Sequence, residues 1–155
     1  MTNDDVVAIR DHDGMVDYGR KFAKNLRAGD VVLLHGDLGA GKTTLMQGIA
    51  AGLHVGEVIQ SPTFAIVAEH DGTDAEGAPI CLYHLDLYRL ATREELDGVG
   101  YEQYLEPVDG ISVIEWPERA GACLPDRFWL LRIEYSPAGG RTVRREWHVQ
   151  RNQSS

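Results

Sequence analysis

One short segment of the chain combines the residue types that bind phosphate in proteins. Residues Gly36 to Thr43 match the pattern G-x-x-x-x-G-K-[ST] in full. Glycines let the backbone wrap closely, so that consecutive N–H groups face phosphate oxygens. Lys42 supplies a positive charge for the β- and γ-phosphates, and the Thr43 hydroxyl can ligate Mg²⁺. The predicted nucleotide-binding residues are Gly36, Asp37, Leu38, Gly39, Ala40, Gly41, Lys42, Thr43 and Thr44.

Two acidic residues are candidates for holding the Mg²⁺ that such a loop requires. A carboxylate at the end of a neighbouring strand serves this purpose, directly or through water. Glu115 ends the apolar run Ile111 to Ile114, and Asp86 follows the run Ile80 to Leu85. A capping or strand-end role is the alternative for Asp86, and a plain surface acid is the alternative for Glu115. The sequence leaves open which of the two is the direct ligand.

Four further side chains stand close to these motifs in the sequence. Trp116 could stack on the nucleotide base or on a partner, or could pack in the core. His84 is more typical of a structural histidine than of a base. Thr63, within Ser61 to Phe64, lies where nucleotide switches carry a threonine that senses the γ-phosphate, although a turn that starts a strand is the alternative. Arg89 is the best internal candidate for an arginine that stimulates hydrolysis.

Apolar runs and helical spacing alternate along the chain, which predicts an α/β fold. Helices are expected at Val16 to Leu26 and Lys42 to Leu53, with short helices between Thr92 and Leu105. The predicted strands are Val31 to Leu34, Phe64 to Val67, Ile80 to Leu85, Ile111 to Ile114, Phe128 to Tyr135 and Thr142 to Val149. The second and third of these could form a hairpin with a turn at Asp71 to Gly77. We therefore predict one P-loop NTPase domain with a mostly parallel central sheet, mixed at its edges and flanked by helices.

Composition narrows the class of protein. With 155 residues the chain fits one domain, and residues 1–10 and 150–155 are expected to be flexible. No apolar run is long enough to span a membrane, the acidic start of the sequence is not expected to act as a signal peptide, and two cysteines suggest reduced thiols in the cytoplasm. A net charge of −9 disfavours direct nucleic-acid binding. The late arginines are interpreted as a solvated strand face, with a docking patch for RNA or an acidic partner as the alternative; these are Arg141, Arg144, Arg145 and Arg151.

Taken in order, four segments resemble the bacterial family of ATPases for tRNA threonylcarbamoyladenosine biosynthesis, TsaE, also called YjeE. The segments are Gly36 to Thr44, Ser61 to Phe64, His84 to Leu90 and Val113 to Glu118. The first is shared with many nucleotide-binding proteins, and the last two together are specific to this family. The resemblance covers about residues 16–149, and this chain departs from the family pattern in a longer turn before Ile80 and an Arg-rich final strand.

The resemblance implies a weak cytoplasmic ATPase that acts with the partner proteins TsaD and TsaB. Those subunits transfer a threonylcarbamoyl group to tRNA, so tRNA would be reached indirectly, and hydrolysis would reset the transferase for another turnover. By this likeness Thr43 and Glu115 are Mg²⁺ ligands and Asp86 assists at the metal. Thr63 belongs to a switch segment, and Trp116 lies near the nucleotide. The preference for ATP over GTP also rests on the resemblance.

Two other functions fit the loop. A small-molecule kinase would need an acceptor pocket and an Arg-rich lid, and the chain offers only the short acidic loop Asp71 to Pro79. A nucleotide-gated binding module, in which ATP selects the partner and hydrolysis is incidental, overlaps with the family role. Release of phosphate without a phosphorylated product would separate hydrolysis from kinase activity.

Overall fold

Seven strands in the described part of the chain form one sheet with helices on both faces. The computed structural model describes residues 5–37, 39–56, 67–87, 93–98, 100–120 and 124–149. The strands are β1 Asp5–Ile9, β2 Val31–Gly36, β3 Val67–Thr73, β4 Pro79–Asp86, β5 Gly110–Glu115, β6 Arg127–Tyr135 and β7 Arg141–Val149. The helices are α1 His12–Ala23, α2 Lys42–Gly52 and α3 Arg93–Gly98, with 3₁₀-helices at Tyr101–Tyr104 and Pro117–Ala120. None of the helices described is long and apolar enough to cross a membrane.

The sheet has the order β1-β7-β6-β2-β5-β4-β3. Its four central strands, β6, β2, β5 and β4, run parallel to one another. The outer pairs β6–β7, β1–β7 and β3–β4 are antiparallel. This arrangement confirms the predicted α/β fold with a mostly parallel sheet that is mixed at its edges. The carboxyl ends of β2, β4 and β5 meet at one edge, where loops of a parallel sheet commonly bind ligands.

Burial on both faces explains the continuous apolar runs of the central strands. Every residue of β5 is buried, and so are Val31 to Leu34 of β2. Such strands have no solvated face, so they do not alternate between polar and apolar residues. Helices α1 and α2 cover one face, where Phe22, Leu45 and Ile49 join the larger hydrophobic cluster. Leu96 of α3 and Tyr101 belong to the second cluster, which contains Leu33 and Ile114.

Three glycines bring the backbones of α1 and α2 into direct contact. A Cβ atom on Gly48 would lie 2.3 Å from the carbonyl oxygen of Val16, and one on Gly19 would lie 2.6 Å from that of Leu45. A Cβ on Gly52 would approach Arg20 equally closely, at 2.6 Å from its carbonyl oxygen. Side chains larger than hydrogen are therefore excluded from this contact unless the helices separate. The contact sets the position of α2, which begins at the predicted phosphate loop.

In the hairpin β3–β4, the first strand and the turn lie later in the sequence than predicted. The strand expected at Phe64 to Val67 is observed at Val67–Thr73, while residues 64–66 lie outside the described structure. The predicted turn residues Asp71 and Gly72 belong to the strand and pair with Cys81 and Ile80. The backbone N–H of Thr73 donates to Leu53 O at 2.7 Å, which attaches this polar edge strand to the end of α2. The turn itself comes later, where Asp74 Oδ1 accepts from Glu76 N and Ala78 N.

Strand β1 is a second difference, since residues 1–10 were predicted to be flexible. Asp5–Ile9 pairs antiparallel with β7 along its whole length. Four of its five residues are exposed and only Ile9 is buried. Its run Val6 to Ile9 is apolar and rich in β-branched residues, which is typical of a strand, but the sequence analysis placed it in the flexible N-terminal segment. Pairing with β7, more than 130 positions along the chain, stabilises it.

Candidate nucleotide-binding site

The loop between β2 and α2 has the backbone shape that its glycines predict. Gly39 and Gly41 have φ angles of 80° and 115°, a region that side chains disfavour. Ala40 N donates to Asp37 O at 2.9 Å, which closes a turn before α2 begins at Lys42. Gly41 is the N-cap and supplies no side-chain cap, so the first N–H groups of α2 are not satisfied by a capping side chain. A helix start of this kind favours binding of an anion.

The side chain of Lys42 is buried beside this loop, although lysine side chains are usually exposed to solvent. Its side chain is only 5% exposed, and Nζ donates to Gly36 O at 2.6 Å. Nζ also lies 3.1 Å from the centroid of the Trp116 ring, in a cation–π contact. Burial lowers the pKa of Lys42, and the carboxylates of Glu115 and other acids nearby partly oppose that effect. A negatively charged ligand in the loop would add to the stabilisation of the charged form.

The two candidate metal-binding acids lie side by side. Asp86 ends β4 and Glu115 ends β5, and the parallel register places them opposite each other. Residues paired across parallel strands face the same side of a sheet, so both side chains emerge on the α2 side, together with Leu34 of β2. Glu115 is 2% exposed, whereas Asp86 is half-buried. The register therefore brings together two acids that are far apart in sequence.

His84 contacts Glu115 directly, which the sequence analysis did not predict. Nε2 of His84 lies 2.5 Å from Oε2 of Glu115. The His84 side chain is fully buried, and that of Glu115 is 3% exposed. The two residues pair because β4 and β5 are neighbours, with His84 opposite Val113 and therefore on the face of Glu115. In the sequence, His84 and Asp86 are polar residues two positions apart at the end of an apolar strand, which indicates only that both face the same side of the sheet.

Trp116 turns the chain out of the sheet after β5. Its φ angle is 59°, in the left-handed region that is uncommon for residues other than glycine. The 3₁₀-helix Pro117–Ala120 follows, and its Glu118 carboxylate lies 3.1 Å from Nε2 of His35 on β2. The indole ring contacts Lys42 and packs against the second hydrophobic cluster. Trp116 therefore lies beside the loop, on the side of the Lys42 amino group.

A cavity of about 320 Å³ lies on another side of the loop. Gly39, Ala40, Gly41 and Thr44 form one wall, and Ile9 to His12 together with Met15 form another. Arg141 completes the lining, and its Nε donates to Ala40 O at 3.1 Å. The Arg141 guanidinium also lies 4.0 Å from the Tyr135 ring centroid. A larger cavity of about 650 Å³ between β1 and α1 adjoins this one and shares Ile9, Arg10 and Asp11 with it.

The late arginines do not form one continuous patch. Arg141 contacts the loop, and Arg145 pairs with Asp5 while lying over the Trp129 ring, 5.4 Å from its centroid. Arg144 is exposed on the opposite face of β7. Only Arg144 thus fits the predicted solvated strand face, and Arg151 lies outside the described residues. The role of Arg141 at the loop was not predicted, because the Ala40 contact spans 101 positions of the chain.

Most of the predicted site residues lie along the carboxyl edge of the central strands. Thr43 and Thr44 are half-buried in the first turn of α2, beside the loop residues already described. Leu38, Thr63 and Arg89 lie outside the described residues. Within the described ranges, no three His, Cys, Asp or Glu side chains are grouped as a metal site. Ligand oxygens such as those of a phosphate would have to complete a Mg²⁺ coordination shell here.

Comparison with known proteins places the whole domain in one family. A family model described as "Threonylcarbamoyl adenosine biosynthesis protein TsaE" matches residues 9–144. The tRNA threonylcarbamoyladenosine biosynthesis protein TsaE of Nostoc sp. is 42% identical over 138 residues, covering 87% of this chain and 81% of the relative. The TsaE protein of Haemophilus influenzae is 41% identical over 133 residues, covering 82% of this chain and 80% of that protein.

A solved structure agrees with the sequence comparison. The crystal structure of YdiB from Bacillus subtilis superposes with a TM-score of 0.73 at 27% identity, covering 96% of this chain and 88% of that chain. The matched region contains β2, the loop, α2 and the strands that carry Asp86 and Glu115. The same stretch of sequence thus accounts for the fold, the loop and the family match. The chain belongs to the TsaE family of tRNA threonylcarbamoyladenosine biosynthesis proteins.

Proposed function

We propose that this chain binds ATP with Mg²⁺ at the Gly36 to Thr44 loop and hydrolyses it slowly in support of tRNA threonylcarbamoylation. The observation that carries the proposal is the meeting of loop and acids at one sheet edge. The loop joins β2 to α2, and Glu115 of the adjacent β5 lies opposite Leu34 of β2. A phosphate-binding loop beside strand-end carboxylates is the arrangement that phosphoryl transfer from a nucleotide requires.

The loop and its flanks suggest how the nucleotide would lie. Its phosphates would occupy the concave side of the loop, where the N–H groups at the start of α2 and the Lys42 charge favour anions. The cavity lined by Gly39 to Gly41, Thr44 and Arg141 adjoins the loop and has room for a ribose and a base. On this proposal Trp116 contacts Lys42 at the phosphate end of the nucleotide and not the base. ATP as the nucleotide follows from the family resemblance.

The residues present fit a Mg²⁺ ion. Thr43, Glu115 and Asp86 offer the oxygen ligands that this cation prefers, and the nucleotide phosphates would supply others. When bound, Mg²⁺ would neutralise charge on the phosphates. The chain itself positions the phosphates through the loop, holds the Lys42 amino group in reach of them and keeps Glu115 out of bulk solvent. Positioning and charge stabilisation are the main contributions to this class of reaction.

The proposed role in the cell follows the family. We assign the chain to the cytoplasm, with TsaD and TsaB as protein partners and tRNA reached through their complex. Slow hydrolysis alone is expected from the family resemblance, with a stimulating arginine supplied by a partner or by Arg89. Hydrolysis would then reset the transferase between turnovers. The overall charge of −9 is consistent with a protein that reaches tRNA through its partners.

Calorimetric titration with ATP and Mg²⁺, combined with a phosphate-release assay, tests the nucleotide part of this proposal. We expect Lys42→Ala to weaken ATP binding by at least about tenfold, since it removes the buried positive charge at the phosphates. Lys24→Ala is the matched control, because Lys24 is exposed at the end of α1. This variant should bind ATP with wild-type affinity. Wild-type affinity and turnover in Lys42→Ala would contradict the proposal.

A further inference from the structure

His84 occupies a position where stability alone does not favour a polar ring. On the same face of the sheet, Leu82 precedes it on β4 and Val113 lies opposite it on β5, and both are fully buried. A leucine at position 84 would suit these neighbours. Buried pairs of polar or charged groups are often no more stabilising than apolar residues of similar size. The pairing with Glu115 therefore calls for another explanation.

The hydrogen of the imidazole can be placed from its surroundings. Among the described residues, Nδ1 of His84 is buried and has no hydrogen-bond partner, while Nε2 lies 2.5 Å from Oε2 of Glu115. A hydrogen on Nδ1 would be buried without an acceptor and would leave two unprotonated acceptors facing each other at Nε2 and Oε2. With the hydrogen on Nε2, the ring donates to the carboxylate, and Nδ1 carries no hydrogen that would need an acceptor.

We propose that His84 is a positioning residue for the Mg²⁺ site, an inference that rests on the proposed function. It holds Oε2 of Glu115 and leaves the other carboxylate oxygen, Oε1, as the ligand for the metal. A carboxylate fixed by one hydrogen bond loses rotational freedom, so that it is already oriented when the metal arrives. Strand β4 then contributes twice to the site, through Asp86 at its end and through His84 two residues before.

Magnesium dependence of ATP binding distinguishes positioning from a merely structural role. The full-length protein is titrated with ATP in EDTA and at increasing Mg²⁺, for wild type, His84→Leu and His84→Gln. Loss of a hydrogen-bonding partner to a metal ligand typically costs 10–100-fold in metal affinity. We expect His84→Leu to need about tenfold more Mg²⁺ for half-maximal enhancement, with ATP affinity in EDTA within about twofold of wild type. His84→Gln keeps an N–H donor and should restore most of the Mg²⁺ response.

Leu82→Ala is the control for general destabilisation. Leu82 is buried on the same face of β4, two residues before His84, and does not contact Glu115 through a hydrogen bond. The Leu82→Ala substitution should lower the melting temperature and leave the Mg²⁺ dependence of ATP binding unchanged. An unchanged Mg²⁺ requirement in His84→Leu, an equal loss of affinity with and without Mg²⁺, or no rescue by His84→Gln would overturn the assignment. Wild-type protein that binds no ATP would overturn the proposed function itself, and this inference with it.

A measurement on the unmodified protein keeps the assignment testable if His84→Leu does not fold. Long-range ¹H–¹⁵N correlation spectra, assigned through the backbone, report which ring nitrogen of His84 carries the hydrogen. We expect the hydrogen on Nε2, and we expect the Nε2 signal to shift when Mg²⁺ is added to the ATP complex. A hydrogen on Nδ1 with none on Nε2 would remove the donor to Glu115 and overturn the inference.

Discussion

Glu115 and Asp86 are chemically similar acids in different surroundings. Glu115 is almost completely buried and is engaged by His84, whereas Asp86 is half-buried at the end of β4. Burial and the contact with His84 hold the Glu115 carboxylate in one orientation, which prepares it to bind a metal. The difference in burial therefore favours Glu115 as the direct ligand, on the proposed function, with Asp86 in a supporting role.

Substitution of each acid by its amide tests this ranking. We expect Glu115→Gln to reduce ATP hydrolysis by at least about tenfold, because it removes a charged metal ligand, and to leave ATP binding in EDTA nearly unchanged. Asp86→Asn should reduce turnover less. Glu134→Gln, at an exposed position near the end of β6, is the matched control. Phosphate-release kinetics measure all three, and a larger loss in Asp86→Asn than in Glu115→Gln would reverse the assignment of ligands.

Individual residues differ in how far the sequence predicts them. Lys42 and Thr43 are predicted because their function depends on spacing within one short segment. The contacts of His84 with Glu115 and of Arg141 with Ala40 join positions 31 and 101 apart. Only the strand order and register bring such residues together, and no local pattern encodes that register. The sequence therefore predicts the phosphate-binding residues and not the side chains that support them.

At the scale of elements, the contact between α1 and α2 fixes the loop. Helix α2 begins at the loop, so a change in the helix-helix distance would move the N–H groups that we propose bind the phosphates. Gly19 and Gly48 are the closest points of approach, and neither has space for a Cβ without movement of the facing backbone. The helices were predicted from their apolar spacing. Their close packing was not, because glycines within a helical pattern do not identify the helix that they contact.

Gly48→Ala should therefore destabilise the protein and disturb the loop. The added Cβ would lie 2.3 Å from Val16 O, so the helices must separate, at a cost of about 1–3 kcal/mol in the free energy of unfolding. Urea denaturation measures this change. Gly56→Ala is the control, since a Cβ at Gly56 meets no atom of the described residues within 4 Å. Stability equal to the wild type in Gly48→Ala would show that the helices do not pack as closely as described.

The hairpin β6–β7 carries an ionic network that should make stability depend on pH. Burial raises the pKa of Glu146, but hydrogen bonds from His148 and Arg132 outweigh that effect and lower the pKa below its usual range. The folded state then binds fewer protons than the unfolded state as the pH falls through the range in which glutamates titrate, near pH 4. The stability contributed by Glu146 is complete above that range and is lost on acidification through the lowered pKa.

Glu146→Gln should flatten this acid dependence. At neutral pH the variant should be less stable than wild type, because it lacks the charged acceptor for Arg132, and the difference should shrink as the pH approaches 3. Thermal denaturation across this range of pH measures the effect. Glu134→Gln, exposed on β6, should follow the wild-type curve. A difference in stability between Glu146→Gln and wild type that stays constant with pH would contradict the described network.

At the scale of the whole molecule, burial decides which parts of the fold the sequence predicts. Strands β2 and β5 are buried on both faces and appear as unbroken apolar runs. Strands β1 and β3 lie at the two edges of the sheet, and their residues are mostly exposed or half-buried. Pairing with a neighbour holds these edges in place, and neither the apolar sequence of β1 nor the polar sequence of β3 shows which strand it pairs with. The centre of the fold was therefore predicted, and its edges were not.

The family places this molecule in tRNA modification, and the central claim of the proposal is that ATP binding at the loop sustains that reaction. The most direct measurement is transfer of the threonylcarbamoyl group from its adenylate to tRNA by purified TsaD and TsaB in the presence of ATP over many turnovers, with and without this protein. We predict that wild-type protein sustains product formation and that Lys42→Ala does not, while Lys24→Ala behaves as wild type. Product formation that is the same without the protein, or with Lys42→Ala in its place, would contradict the account.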